Sequence, residues 1–217
     1  MKKKIILVLG GNGIIGLPLV SELVKENYFV ISVDKIFKSK NTSNVTYIKS
    51  DLSKKNSLKK LFVKIKSIGN IYAAINCLYP KNRGWGTKFE NLNEKKITDN
   101  LYHQLGLPIL VSKEVCKHFY KNGSGKLINL SSIQGISAPK FDHYKNTNMI
   151  SPIEYSAAKS GIISLTKYLA KYYKGENITV NCVSPGGIKA DQPINFQKKY
   201  KQVCNSKGLL DGIDVVH

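Results

Sequence analysis

The sequence predicts an α/β domain built on a doubly wound parallel sheet, and three observations lead there. Short apolar, β-branched runs alternate along the chain with longer stretches of helical period. The short runs are apolar throughout rather than alternating with polar residues, as strands are when helices cover both faces of a sheet. A glycine-rich turn follows the first run and opens the first helical stretch. With 217 residues, no proline- or serine-rich linker and no internal repeat, one domain over 1–217 is expected.

Taken in order, the strand segments are 4–9, 28–33, 71–75, 126–130 and 178–183. Between them lie the helical segments 14–26, 53–66, 92–120 and 152–174. Met1-Lys2-Lys3-Lys4 and the apolar residues behind it imitate a secretory signal, but four glycines interrupt the run and no small-residue cleavage site follows. No segment approaches the roughly 20 apolar residues needed to cross a bilayer. A buried first strand and a turn are therefore expected, with no membrane partner.

The formal charge of +20 would ordinarily raise nucleic acid as a partner. The cations are dispersed and almost all lysine, Arg83 being the one arginine, whereas phosphate and base recognition favours the forked guanidinium. No nucleic acid is expected. The four cysteines are widely spaced and the four histidines scattered, so the pattern offers no metal site and fits thiols in a reducing cytoplasm.

The first chemical motif is Gly10-Gly11-Asn12-Gly13-Ile14-Ile15-Gly16, with G-x-x-G-x-x-G spacing. Glycines there permit a tight turn and close approach of the backbone to a pyrophosphate, which the helix N-terminus then meets with unpaired amides. Gly10, Asn12, Gly13, Ile15 and Gly16 are the candidate contacts of a Rossmann-type dinucleotide site. Pro18 threatens one hydrogen bond early in that helix. Asp34 ends the second strand 18 residues beyond Gly16, where a carboxylate can accept from an adenosine ribose. Asp51 with Leu52, and Asn76 after the third predicted strand, fall on the same ligand edge. Asp34 favours NAD over NADP by like-charge repulsion of a 2′-phosphate, although Lys35 beside it would soften the preference.

Ser151-Pro152-Ile153-Glu154 carries a capping-box pattern and places a helix start at Ser151. Tyr155 and Lys159 then lie four apart on one helical face, where the ammonium would favour a phenolate and bring the tyrosine nearer neutrality. Ser131 and Ser132 stand at the end of the fourth predicted strand, on the ligand edge of the sheet.

Through the glycine turn, Ser131-Ser132, Tyr155-Ser156-Ala157-Ala158-Lys159 and Asn181-Cys182-Val183-Ser184-Pro185-Gly186, the chain resembles the short-chain dehydrogenase/reductase family from residue 4 to about 216. The resemblance implies Tyr155 as acid/base, Lys159 on the nicotinamide ribose, Ser132 orienting a carbonyl, and Asn100 supporting a proton-relay water. It also implies that Pro185, Gly186 and Ile188 line the nicotinamide, and that the protein is a homodimer or homotetramer joined through 92–120 and 152–174. The segments 138–155, 165–173 and 184–188 are similar to the bacterial flagellin modification protein A group, which implies a sugar or sugar-phosphate substrate.

Some features depart from the family pattern. The glycine spacing is that of larger, sugar-nucleotide-modifying relatives. Cys77 stands where asparagine is usual, and 22 residues separate Ser132 from Tyr155, so a long loop should overhang the substrate. The chain ends where the family normally adds a helix and a final strand, so a shortened sheet with an exposed edge is expected. Two other readings stay open on sequence: a catalytically silent nucleotide-binding scaffold or sensor, and an epimerase or dehydratase, the latter opposed by the lack of a substantial C-terminal substrate domain.

Overall fold

The computed structural model describes residues 3–37, 40–82 and 85–217; Met1, Lys2 and Arg83, which entered the charge and leader readings, lie outside them. Six strands form one parallel sheet: β1 (Ile5–Leu9), β2 (Phe29–Asp34), β3 (Val45–Lys49), β4 (Ile71–Asn76), β5 (Gly125–Leu130) and β6 (Ile178–Val183). Their order is β3-β2-β1-β4-β5-β6. The chain winds outward from β1 to β3, then returns to place β4 on the other side of β1. That reversal opens a crevice beyond the carboxyl ends of β1 and β4, where such sheets receive ligands. The register aligns Leu9 with both Val33 and Asn76, and Asn76 with Asn129, so the residues after these positions share one edge.

Alternate strand residues feed two cores. Leu7, Leu9, Ile31 and Leu127 pack with Leu61, Phe62 and Ile65 of α2 (Ser57–Ile68) and with Val111, Val115 and Phe119 of α4 (Leu107–Lys121). Ile6, Val8, Val30 and Ile75 face the other way onto Val20 of α1 (Gly16–Lys25). Pro18 sits in the first turn of α1, where no intrahelical partner is lost.

Three elements differ from the sequence reading. The strand β3 was not anticipated, because it is an edge strand whose Thr46 and Tyr47 are only partly buried, so the run lacks the apolar signature of its neighbours. The single helix expected over 92–120 is α3 (Glu94–Leu101), a π turn (Tyr102–Gly106) and α4. Pro108 cannot donate to the carbonyl four residues back, and the ladder is displaced there. Helix α6 (Ile194–Gln202) also went unread, since only Phe196 of it is buried.

The helix α5 (Ile153–Tyr172) begins two residues after the expected start. Ser151 does not cap it; its hydroxyl donates to Gln134 Oε1 at 2.8 Å. Glu154 is turned inward instead, accepting from Asn100 Nδ2 at 2.7 Å. Burial of the first turn against α3 takes both side chains away from the capping geometry.

Candidate active site

The glycine turn closes because side chains would not fit in it. A Cβ on Gly16 would lie 2.1 Å from the Gly10 carbonyl oxygen, and one on Gly11 2.1 Å from Ser32 Oγ. Gly10 has φ +78°, in the left-handed region. Gly13 N donates to Gly10 O at 3.1 Å, whereas the Ile14 and Ile15 amides have no acceptor among the described residues. They stand at the N-terminus of α1, a place suited to an anionic pyrophosphate. Asp34 Oδ2 accepts from Asn12 N at 3.0 Å and Oδ1 from Lys35 N at 2.7 Å. The carboxylate is thus pinned beside the turn with lone pairs left for ribose hydroxyls. Turn, free amides and carboxylate together fit the adenosine half of a dinucleotide.

The other predicted cofactor contacts fall on the same edge but are engaged differently. Asp51 accepts from Ser53 N at 3.1 Å and Ser53 Oγ at 2.6 Å. Burial raises its pKa, yet those two hydrogen bonds and the Lys35 and Lys54 charges leave it below the ordinary value. Leu52 is a core side chain, so only its backbone can meet a ligand. Asn76 is buried, accepts from Leu78 N at 3.3 Å and approaches Asn129 Oδ1 at 3.5 Å, bracing the strand ends. Pro185 O accepts from Ile133 N at 2.9 Å, which ties the Pro185–Gly186 turn to the serine turn. Gly187 N donates to Tyr200 Oη at 2.7 Å, and Ile188 bridges to Leu210.

Ser132, Tyr155 and Lys159 come together. The serine turn is riveted to α5: Ser131 Oγ donates to Lys159 O at 2.8 Å, and Ser160 Oγ to Gly135 O at 2.8 Å. A Cβ on Gly135 would sit 2.7 Å from the Lys159 carbonyl carbon, so the two backbones touch. This contact sets the Ser132 hydroxyl within hydrogen-bonding reach of the Tyr155 phenol. Lys159 Nζ lies 5.5 Å from the Tyr155 ring centroid and donates to Leu130 O at 2.8 Å.

The electrostatics correct one expectation. The Tyr155 phenol is held above its ordinary pKa, chiefly by burial, with the Ser132 hydrogen bond pulling down and the Tyr144 phenol pushing up. Lys159 is not among the groups acting on the phenol here, and burial has pushed the lysine itself down to about 8, against a smaller upward pull from Cys77. An ammonium that is poorly solvated has its own charge disfavoured before it can stabilise a neighbour's. Asn100 is buried on α3, with its amide on Glu154 and its Oδ1 without a partner among the described residues.

Four residues at this site went unread in the sequence. Tyr79 and Trp85, on the segment after β4, pack edge-on against Tyr155 with centroids 5.7 and 5.9 Å away. Gln134 and Tyr144 join the serine turn to the long loop through Gln134 Nε2 and Tyr144 Oη, 3.3 Å apart. Their one sequence signal was position: Trp85 is the sole tryptophan, and it falls between a strand end and a helix on the ligand edge.

A hydroxyl, a phenol and a lysine at the ligand edge, beside a turn shaped for pyrophosphate, match a known family model. The model for short chain dehydrogenases covers residues 4–201. The chain belongs to the short-chain dehydrogenase family. It is accordingly a nicotinamide-dependent oxidoreductase acting on CH–OH groups. It is similar to the post-translational flagellin modification protein A of Campylobacter coli, 35% identical over 232 aligned positions that cover 99% of this chain and 89% of that one. The 7alpha-hydroxysteroid dehydrogenase of Bacteroides fragilis is 26% identical over 204, covering 89% and 75%. Among solved structures, a short chain dehydrogenase of Leptospira borgpetersenii with bound NAD+ superposes with TM-score 0.89 at 28% identity, covering 100% of this chain and 84% of that one.

Proposed function

We propose that this dehydrogenase transfers hydride between NAD and a hydroxyl or carbonyl carbon of a sugar or sugar phosphate used in surface-glycan or flagellin modification. The observation that carries the reading is the half-buried Tyr155 phenol within hydrogen-bonding reach of Ser132, with Lys159 behind it. The nicotinamide supplies or accepts the hydride. In the reductive direction the Tyr155 hydroxyl gives its proton to the carbonyl oxygen, and Ser132 holds that oxygen by hydrogen bond. Lys159 and the Pro185–Ile188 turn hold the nicotinamide ribose and ring, and Gly10, Asn12, Gly13, Ile15, Gly16 and Asp34 hold the adenosine and pyrophosphate. Asp51, Leu52 and Asn76 line the adenosine side, and Asn100 braces the helix behind Tyr155 through Glu154.

The name of the Campylobacter coli relative supports a role in flagellin modification, and the Ser132, Tyr144 and Gln134 groups near Tyr155 suit a hydroxylated compound. NAD rather than NADP follows from Asp34, and the Leptospira relative was solved with NAD+. Cytoplasmic residence belongs to the same reading, supported by four unpaired cysteines. So does a homodimer or homotetramer, supported by exposed Ile109, Leu110, Tyr168 and Tyr172 on α4 and α5. Light scattering of a monomer alone in moderate salt would contradict the assembly. A panel of sugars and sugar phosphates followed at the reduced-nicotinamide absorbance tests the function; turnover confined to non-carbohydrate alcohols would overturn the substrate class.

A further inference from the structure

The two ends of the 22-residue loop between Ser132 and Tyr155 are joined through the Gln134 side chain. Gln134 Oε1 accepts from Ser151 Oγ at 2.8 Å and from Ser156 Oγ at 3.3 Å, while its backbone amide donates to Ser132 Oγ at 3.2 Å. With the oxygen of its amide committed to two serines, the nitrogen is the end that faces Tyr144, and Nε2 donates to Tyr144 Oη at 3.3 Å. Tyr144 therefore accepts from Gln134, and its own proton is left to point elsewhere.

The ring of Tyr144 stands on a fixed base. It packs on Phe196 of α6 with centroids 5.1 Å apart, and its carbonyl accepts from Thr147 Oγ1 at 2.7 Å. Lys199 Nζ, also on α6, holds the next carbonyl, that of Lys145, at 2.7 Å. Gln134 links this phenol to the catalytic serine, because the residue that donates to Tyr144 Oη also donates through its backbone amide to Ser132 Oγ, and the phenol acts electrostatically on Tyr155. Two of the phenols near Ser132 thus have different duties, Tyr155 beside the serine and Tyr144 oriented by Gln134.

We propose that Tyr144 is a specificity-determining residue, donating a hydrogen bond to a substrate oxygen next to the reacting carbon, with Gln134 fixing the direction of that donor. The ligand chemistry is a carbonyl compound with a hydroxyl on the adjacent carbon, a unit that most open-chain sugars and many sugar derivatives carry. This rests on the carbohydrate oxidoreductase reading and names the group that reads the substrate there. A site built to hydrogen-bond a substrate hydroxyl discriminates against the analogue lacking it, because its own polar group is then left unpaired.

The test compares acetoin with 2-butanone, a pair that differs by one adjacent hydroxyl, as substrates for NADH oxidation. Where neither turns over, the same pair is titrated against the NAD-loaded protein through the fluorescence of Trp85, the one tryptophan, which packs against Tyr155. The wild-type protein should favour acetoin by about tenfold, the scale of one hydrogen bond. Tyr144→Phe keeps the ring packing and should bring the ratio toward one. Gln134→Glu should do the same with Tyr144 intact, because a carboxylate accepts the tyrosine proton and turns it from the substrate. Equal preference in the wild type, no measurable binding of acetoin, or an unchanged ratio in either variant overturns the proposal. A protein that favours acetoin through Tyr144 yet uses no sugar keeps this inference and loses the carbohydrate reading.

Discussion

The two halves of the ligand edge are built on different principles. On the β1–β3 side the contacts offered to a nucleotide are chiefly backbone amides, glycine geometry and the Asp34 carboxylate within the span 10–34, with Asp51 and Leu52 close behind β3. On the β4–β6 side the site is assembled from side chains carried by three separate segments: Tyr79 and Trp85 after β4, Gln134 and Tyr144 after β5, and Phe196 and Tyr200 after β6. The first kind of site is written locally and is therefore readable as a motif. The second exists only once the sheet has brought distant loops together, so it can vary without disturbing the first.

The sharpest way to break that comparison is at Tyr155, which belongs to the second half by location and to the family by motif. Tyr155→Phe should lower turnover by about 10² to 10⁴, the usual scale of a lost positioned acid–base group. NAD affinity should stay within a few-fold, since the ring still packs on Tyr79 and Trp85. Near-normal turnover would remove the proton-transfer role.

On the other side, Gly16→Ala should weaken NAD binding by about tenfold to hundredfold, the equivalent of one or two charge-assisted hydrogen bonds. Its Cβ would meet the backbone oxygen of Gly10 at 2.1 Å, and only movement of the turn can relieve that. Calorimetric titration with NAD measures the loss; unchanged affinity would mean that the turn does not hold the pyrophosphate. A smaller effect is expected from Asp34→Asn, which keeps an acceptor for Asn12 N but removes the charge. The NAD/NADP affinity ratio should fall by about tenfold, and a ratio that does not move would sink the role of Asp34 in cofactor choice.

The parallel sheet and the glycine turn were legible because buried strands and tight turns restrict residue type within a few positions. Ser132, Tyr155 and Lys159 were legible as a family motif, and the structure does bring them together. What sequence could not supply was the effect of burial on charge: four-residue spacing places Lys159 beside Tyr155, but only the packed structure shows the ammonium itself disfavoured and turned to Leu130 O. Ser151 and Glu154 misled for a related reason. Their pattern fits a cap, yet Gln134 and Asn100, 17 and 54 residues away in the chain, compete for the same groups and hold them.

That burial makes Lys159 a source of pH-dependent stability, with a sign opposite to that of a salt-bridged lysine. Its pKa is depressed from 10.5 to about 8, so the folded protein loses this proton at lower pH than the unfolded chain does. Between pH 8 and 10.5 the unfolded state then binds more protons at this site, and stability from this group rises with pH across that window. Cys77 faces Lys159, and its thiol is pushed up from 9.0 to about 12, so above pH 9 the thiol acts in the opposite direction. The Tyr155 phenol, also raised, opposes it above about 10. The clean interval is therefore pH 8 to 9, where one pH unit is worth at most about 1.4 kcal/mol. For a chain of this size that corresponds to a rise of at most roughly 3–6 °C in Tm. Lys159→Met removes the titrating group while keeping an unbranched side chain in place. The Tm of the wild type minus that of the variant, measured without nucleotide, should climb over this interval. A difference that stays flat from pH 7 to 9 would show that the Lys159 ammonium is well solvated in the folded protein.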